Sequence, residues 1–136
     1  MIDRWHVFQF MTRNPYCAHP ETTLRELTTH LVERRATAAP VVNQEGEIVG
    51  LVALSDVAVD AVVQPPEGKG RLVRDVMQRR VFAIDQAATV IKAIEELKKH
   101  RVHRLVVTDH DRVVGVVSCL DLLDAVLEKI GFPPVA

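Results

Sequence analysis

The side chains with the clearest capacity for chemistry stand near the end of this chain: Ser118 and Asp121 just after one apolar run, and the pair His103-Arg104 just before another. A hydroxyl and a carboxylate at the head of a helix can accept from its orphan N–H groups, and the same helix end attracts anions. Arg104 carries a planar fork suited to phosphate oxygens. Each also has a plainer reading. An Asp in a first helical turn is favourable with no ligand, Ser118 alone is a strand-end hydroxyl, and an Arg between apolar residues is usually a solvated strand edge. Asp56, followed by another apolar helix, is a second candidate of the same kind.

Other candidates are thinner. His100-x-x-His103 could bring two imidazoles together if a helix continued, but no third ligand has metal-site spacing, so both read as solvated helix-end histidines. Cys17-Ala18-His19 lacks the partners that would make Cys17 a nucleophile. No paired acid and base stand at defensible spacing, so no catalytic residue and no metal ligand is assigned, and the chain does not read as an enzyme. Cys17 and Cys119 are too few for a disulfide framework and read as small buried residues in a reducing compartment, which makes the cytoplasm the expected location.

The elements that position these residues come twice. Val41-Val42 recurs as Val106-Val107, Val49-Gly50 as Val114-Gly115, Val52 as Val117 and Asp56 as Asp121 at one fixed offset, while Met11 matches Met77 at one residue more. In the first copy, Thr23-x-x-Glu26 reads as a capping box opening a helix over roughly 22–35, with Leu24, Leu27, Leu31 and Val32 at helical spacing. A hairpin of two buried strands follows through the turn-like Asn43-Gln44-Glu45-Gly46, and a second helix starts near Ser55. The second copy repeats the order: a helix with Val90, Ala93, Ile94 and Leu97 on one face, strands near 103–108 and 112–118, and a closing helix. Short strands near Cys17-Ala18-His19 and Phe82-Ala83-Ile84 complete two β-α-β-β-α units.

The expected fold is therefore α/β, with repeats at 1–63, including an N-terminal helical segment, and at 70–136, joined by a Pro/Gly-rich linker at 64–69. Neither repeat is long enough to bury a secure core alone, so they are expected to pack about a pseudo-two-fold axis as one module. Trp5, Phe8 and Phe10 would pack the N-terminal segment onto it.

Composition bounds the function. In 136 residues, 48% hydrophobic, there is little room for a separate catalytic domain. Lys+Arg 17 against Asp+Glu 18 leaves no basic field for nucleic acid. The N-terminal residues interleave charge with apolar side chains, and no signal peptide or membrane span is expected.

Val73-Arg74-Asp75-Val76-Met77, Val102-His103-Arg104-Leu105-Val106-Val107 and Gly115-Val116-Val117-Ser118-Cys119-Leu120-Asp121 resemble a cystathionine-β-synthase (CBS) repeat. Phe10-Met11-Thr12-Arg13-Asn14-Pro15, Ala39-Pro40-Val41-Val42 and Gly50-Leu51-Val52-Ala53-Leu54-Ser55-Asp56 resemble another, so the likeness is to a tandem CBS pair, a Bateman-type module. The second repeat is also similar to the nucleotide-sensing repeats of the AMP-activated protein kinase gamma subunit. The resemblance implies a regulatory module that binds AMP, ADP or ATP in clefts between the repeats and signals occupancy to a partner enzyme or transporter.

On that resemblance Asp121 is the ribose ligand, Ser118 faces ribose or phosphate, and His103 and Arg104 contact phosphate. A carboxylate can accept from both vicinal ribose hydroxyls in charge-assisted hydrogen bonds. In the first copy Ala53 replaces Ser118 and Ala38-Ala39 replace His103-Arg104, leaving Asp56 alone, so one strong site is expected. The alternatives are an unliganded protein-interaction module and a sensor of S-adenosylmethionine or a metal ion. The closing helix, with Leu122, Leu123, Val126, Leu127 and Ile130, carries more apolar surface than one face needs, and a homodimer through it is expected.

Overall fold

The computed structural model describes residues 4–64 and 70–130. In chain order the elements are a 3-10 turn (Val7–Gln9), β1 (Thr12–Arg13), α1 (Leu24–Glu33), β2 (Ala38–Val42), β3 (Ile48–Ala53), α2 (Leu54–Val63), α3 (Val73–Val76), β4 (Ala83–Asp85), α4 (Val90–His100), β5 (Arg104–Asp109), β6 (Arg112–Ser118) and α5 (Cys119–Lys129). The fold is α/β. No helix among the described residues is long and apolar enough to cross a membrane.

These elements form two compact units, one of Pro15–Val81 and one of Met1–Asn14 with Phe82–Ala136. The second has the sheet order β1-β6-β5-β4, with β1 and β5 antiparallel to β6 and β4 parallel to β5. The first repeats this plan around its β2-β3 hairpin, in a shorter form: Ala18 makes a parallel bridge to Val41 where β4 would lie, and Gln78 an antiparallel bridge to Leu51 where β1 would lie. The compact units thus differ from the consecutive division at 1–63 and 70–136 expected from the sequence. The segment ahead of each repeat is housed with the other repeat, because its backbone completes that repeat's sheet edge and its apolar side chains that repeat's core. Val7, fully buried, belongs to the second unit's core, and Val73, its counterpart, to that of the first. Linker residues 65–69 lie outside the described residues.

Each edge strand comes very close to its neighbour. A Cβ added at Gly115 would stand 2.6 Å from Met11 Sδ and 2.8 Å from the Thr12 carbonyl; at Gly50 the corresponding atoms are Met77 Sδ at 2.7 Å and the Gln78 carbonyl at 3.0 Å. Backbone as well as side chain holds Gly115 to glycine, whereas at Gly50 the closest atom is the far end of a flexible methionine.

The helices form for the reasons their sequences suggest. Thr23 Oγ1 accepts from the Glu26 N–H and Thr89 Oγ1 from the Lys92 N–H, capping α1 and α4. Leu27 and Leu31 are fully buried, each contributing about 1.5–3 kcal/mol by transfer from water. Val32, expected on the same face, is 63% exposed, since it lies to the side of the stripe that meets the sheet. Trp5 and Phe10 pack on the second unit's core as expected of the N-terminal segment, whereas Phe8, expected with them, is exposed.

The hairpin turns set the alignment of the repeats. β5 and β6 are joined through His110 and Asp111, both at positive φ (50° and 65°), a pair suited to a tight hairpin. β2 and β3 are joined through a longer turn, in which Gly46 takes φ 79° and Asn43 Oδ1 accepts from the Glu45 and Glu47 N–H groups, and the path from Val41 to its partner Gly50 is one residue longer than that from Val107 to Gly115. The residue by which the copies differ is therefore in this turn, after Val41-Val42, rather than ahead of it.

Candidate functional site

Ser118 ends β6 in extended conformation and caps α5. Its N–H donates to Asp121 Oδ2 at 2.8 Å, and the Asp121 N–H donates to Ser118 Oγ at 3.1 Å. Across the sheet Arg104 stands directly opposite Ser118, so the two side chains leave the same face. The His103 carbonyl accepts from the Cys119 N–H at 2.9 Å, tying the head of α5 to the start of β5, while the His103 residue is exposed. His103, Arg104, Ser118 and Asp121, singled out in the sequence, are thus brought to one corner of one unit. Among the described residues, the Asp121 carboxylate has no partner beyond the Ser118 N–H, which leaves Oδ1 open.

Asp56, in the other unit, has the same place at the head of α2. Its Oδ2 accepts from the Ala53 N–H at 2.8 Å, as Asp121 does from Ser118. Its Oδ1 accepts from Gln78 Nε2 at 3.2 Å, so both oxygens are engaged. This contact could not be read from local spacing, because Gln78 arrives on the edge segment that follows the linker. Its only sequence signal is its place after Met77, where Thr12 follows Met11.

The counterparts of His103-Arg104 need correction. Ala38 stands opposite Ala53 as Arg104 stands opposite Ser118, and the Leu54 N–H donates to the Thr37 carbonyl as that of Cys119 does to His103. The pair is therefore Thr37-Ala38, not Ala38-Ala39. The longer first turn shifts β2 by one residue against any ungapped alignment. A hydroxyl at Thr37 remains in the first copy, but no cation.

The weaker candidates also settle into place. His100 stacks on Phe82 with ring centroids 3.7 Å apart and meets Glu96 at 3.0 Å, so it is packed rather than solvated. A hydrogen bond from Lys92 holds the Glu96 carboxyl below its ordinary range. No group of three or more His, Cys, Asp or Glu among the described residues could hold a metal ion. Cys17 is half-buried and burial pushes its thiol up, away from the nucleophilic thiolate. Cys119, expected to be buried, is exposed at the first turn of α5, beside an apolar groove of about 300 Å³ between α4 and α5.

Two segments, residues 7–59 and 73–128, match the model of the family described as CBS domain. The chain is 32% identical over 103 residues, 71% of its length, to the 5'-AMP-activated protein kinase subunit gamma-3 of Bos taurus. It spans 36%, 21% and 15% of the lengths of three curated relatives that it matches. Among solved structures, CBSX2 in complex with AMP is 25% identical, with a TM-score of 0.72 over 93% of this chain and 98% of that one. The CBS domain pair of protein MJ0100, in complex with 5'-methylthioadenosine and S-adenosyl-L-methionine, is 22% identical, with a TM-score of 0.78 over 91% and 97%.

Proposed function

The chain belongs to the CBS domain family, and from that premise we propose that it is a regulatory module that binds an adenosine nucleotide, AMP, ADP or ATP, at Asp121 and signals occupancy to a partner enzyme or transporter. The observation that carries this reading is the Asp121 carboxylate, held on Ser118 by one oxygen and, among the described residues, open at the other, with Arg104 opposite Ser118. The open oxygen suits the ribose diol, Ser118 and the head of α5 suit an anion, and His103 and Arg104 supply hydrogen-bond donors for phosphate, Arg104 with a permanent charge. Two relatives support the ligand class: one is by name a subunit of an AMP-activated kinase, and CBSX2 is a complex with AMP. The module performs no reaction itself and works in the cytoplasm.

Its second half of function is assembly. Leu123 and Leu127 of α5 and Ile130 at its C-cap are 51%, 40% and 57% exposed while Leu122 and Ala125 of the helix are buried, so α5 has an apolar face beyond the one its own unit uses. A second copy of the chain covers that face.

Thermal shift with a ligand panel tests the ligand. AMP, ADP or ATP should raise the melting temperature more than guanosine or adenine, with about 2.7 kcal/mol of added stability at a concentration of about 100 times Kd. Stabilisation by S-adenosylmethionine alone overturns the phosphate assignment. A flat response to every ligand would leave the chain a protein-interaction module.

A further inference from the structure

We infer that Gln78 sets which aspartate accepts ligand, by occupying the Asp56 carboxylate with its side-chain amide; the inference rests on the reading of Asp56 and Asp121 as ribose acceptors. The two carboxylates share their place and one backbone hydrogen bond, and they differ in what meets the second oxygen. Each lies in the first turn of a helix, and each accepts at 2.8 Å from the N–H of the residue ending the preceding strand. The remaining oxygen of Asp56 is bonded to Gln78 at 3.2 Å, whereas that of Asp121 has no partner among the described residues.

The difference comes from the edge segment. Gln78 pairs with Leu51 as Thr12 pairs with Val116, so Thr12 is the residue that faces the Asp121 corner from the corresponding place. A Gln side chain reaches the carboxylate and donates to it; Thr is too short to do so from there. A ribose diol arriving at Asp56 must displace the amide, and an exchange of one hydrogen bond for another has little net gain. Gln78 exchanges both backbone hydrogen bonds with Leu51 (2.9 and 2.8 Å), and its side chain is exposed. The amide can therefore be replaced without disturbing the pairing that holds the edge.

Reciprocal exchange tests this by calorimetry with AMP as the probe. In the Asp121→Asn background, Gln78→Thr should tighten AMP at the remaining site by about threefold to tenfold, the value of one net hydrogen bond. The gain should vanish with 2'-deoxy-AMP, which lacks one of the two hydroxyls, a discrimination that a merely structural effect would not produce. Thr12→Gln in the otherwise wild-type chain should weaken AMP by a similar factor. Wild-type protein that binds AMP, with Gln78→Thr giving no gain or the same gain for the deoxy ligand, overturns the role of Gln78 alone. An undiminished affinity in Thr12→Gln does the same, and decides the matter if Gln78→Thr does not fold. Wild-type protein that binds no adenosine nucleotide overturns the functional reading and this inference together.

Discussion

Ser118 and Asp121 close a reciprocal pair at the junction of β6 and α5: each backbone N–H donates to the other's side chain, at 2.8 and 3.1 Å. The pair orients the carboxylate through one oxygen and joins strand to helix without a loop between them. The equivalent junction in the first copy keeps only the aspartate arm, because Ala53 has no hydroxyl.

Asp121→Asn should therefore remove most of the nucleotide-induced rise in melting temperature, which for 2.7 kcal/mol in a chain of this size is on the order of 5–15 °C. The unliganded protein should lose at most about 1 kcal/mol, since Asn still accepts from the Ser118 N–H and only its charge at the helix head is gone. Asp56→Asn should change the ligand-induced shift little. Calorimetry on both variants checks the assignment, and equal losses, or a larger one from Asp56→Asn, would move the main site to the other unit.

Gly115→Ala should destabilise the protein by about 1–3 kcal/mol, because the new methyl would meet both Met11 Sδ and the Thr12 carbonyl. At Gly50 the backbone oxygen is farther, at 3.0 Å, and the nearest obstacle is the flexible Met77. Gly50→Ala combined with Met77→Ala should consequently cost about 1 kcal/mol less than the sum of the two single changes. Denaturant titration of the four proteins in this cycle measures the difference; strict additivity would mean that Met77 does not hold Gly50 to glycine.

Leu123→Glu should convert a dimer to a monomer in light scattering at micromolar concentration. A buried unpaired charge costs several kcal/mol at an interface, yet Leu123 is half exposed within its own unit, so the fold should survive. Leu122→Glu, at a position 2% exposed, should unfold the unit instead. A wild-type protein that is already monomeric at high concentration would overturn the dimer.

The family likeness, the α/β class, the order of elements in both repeats and the aspartates that head their closing helices are all legible in the sequence. Those features rest on local rules: helical spacing of apolar residues, runs of β-branched residues, turn residues and capping groups, all within a few positions of one another. Leu27, Leu31, Val90 and Leu97 are buried where periodicity puts them. The remaining features depend on contacts between distant segments. The N-terminal segment joins the second repeat because the edge of β6 accepts Thr12–Arg13 and the core there accepts Val7. The path through the hairpin, one residue longer in the first copy, makes Thr37-Ala38 the counterpart of His103-Arg104, and only cross-strand register reveals that shift. The contact of Gln78 with Asp56 joins side chains from separate elements, and its formation depends on which sheet edge the intervening chain reaches, a choice that no periodicity or local propensity encodes.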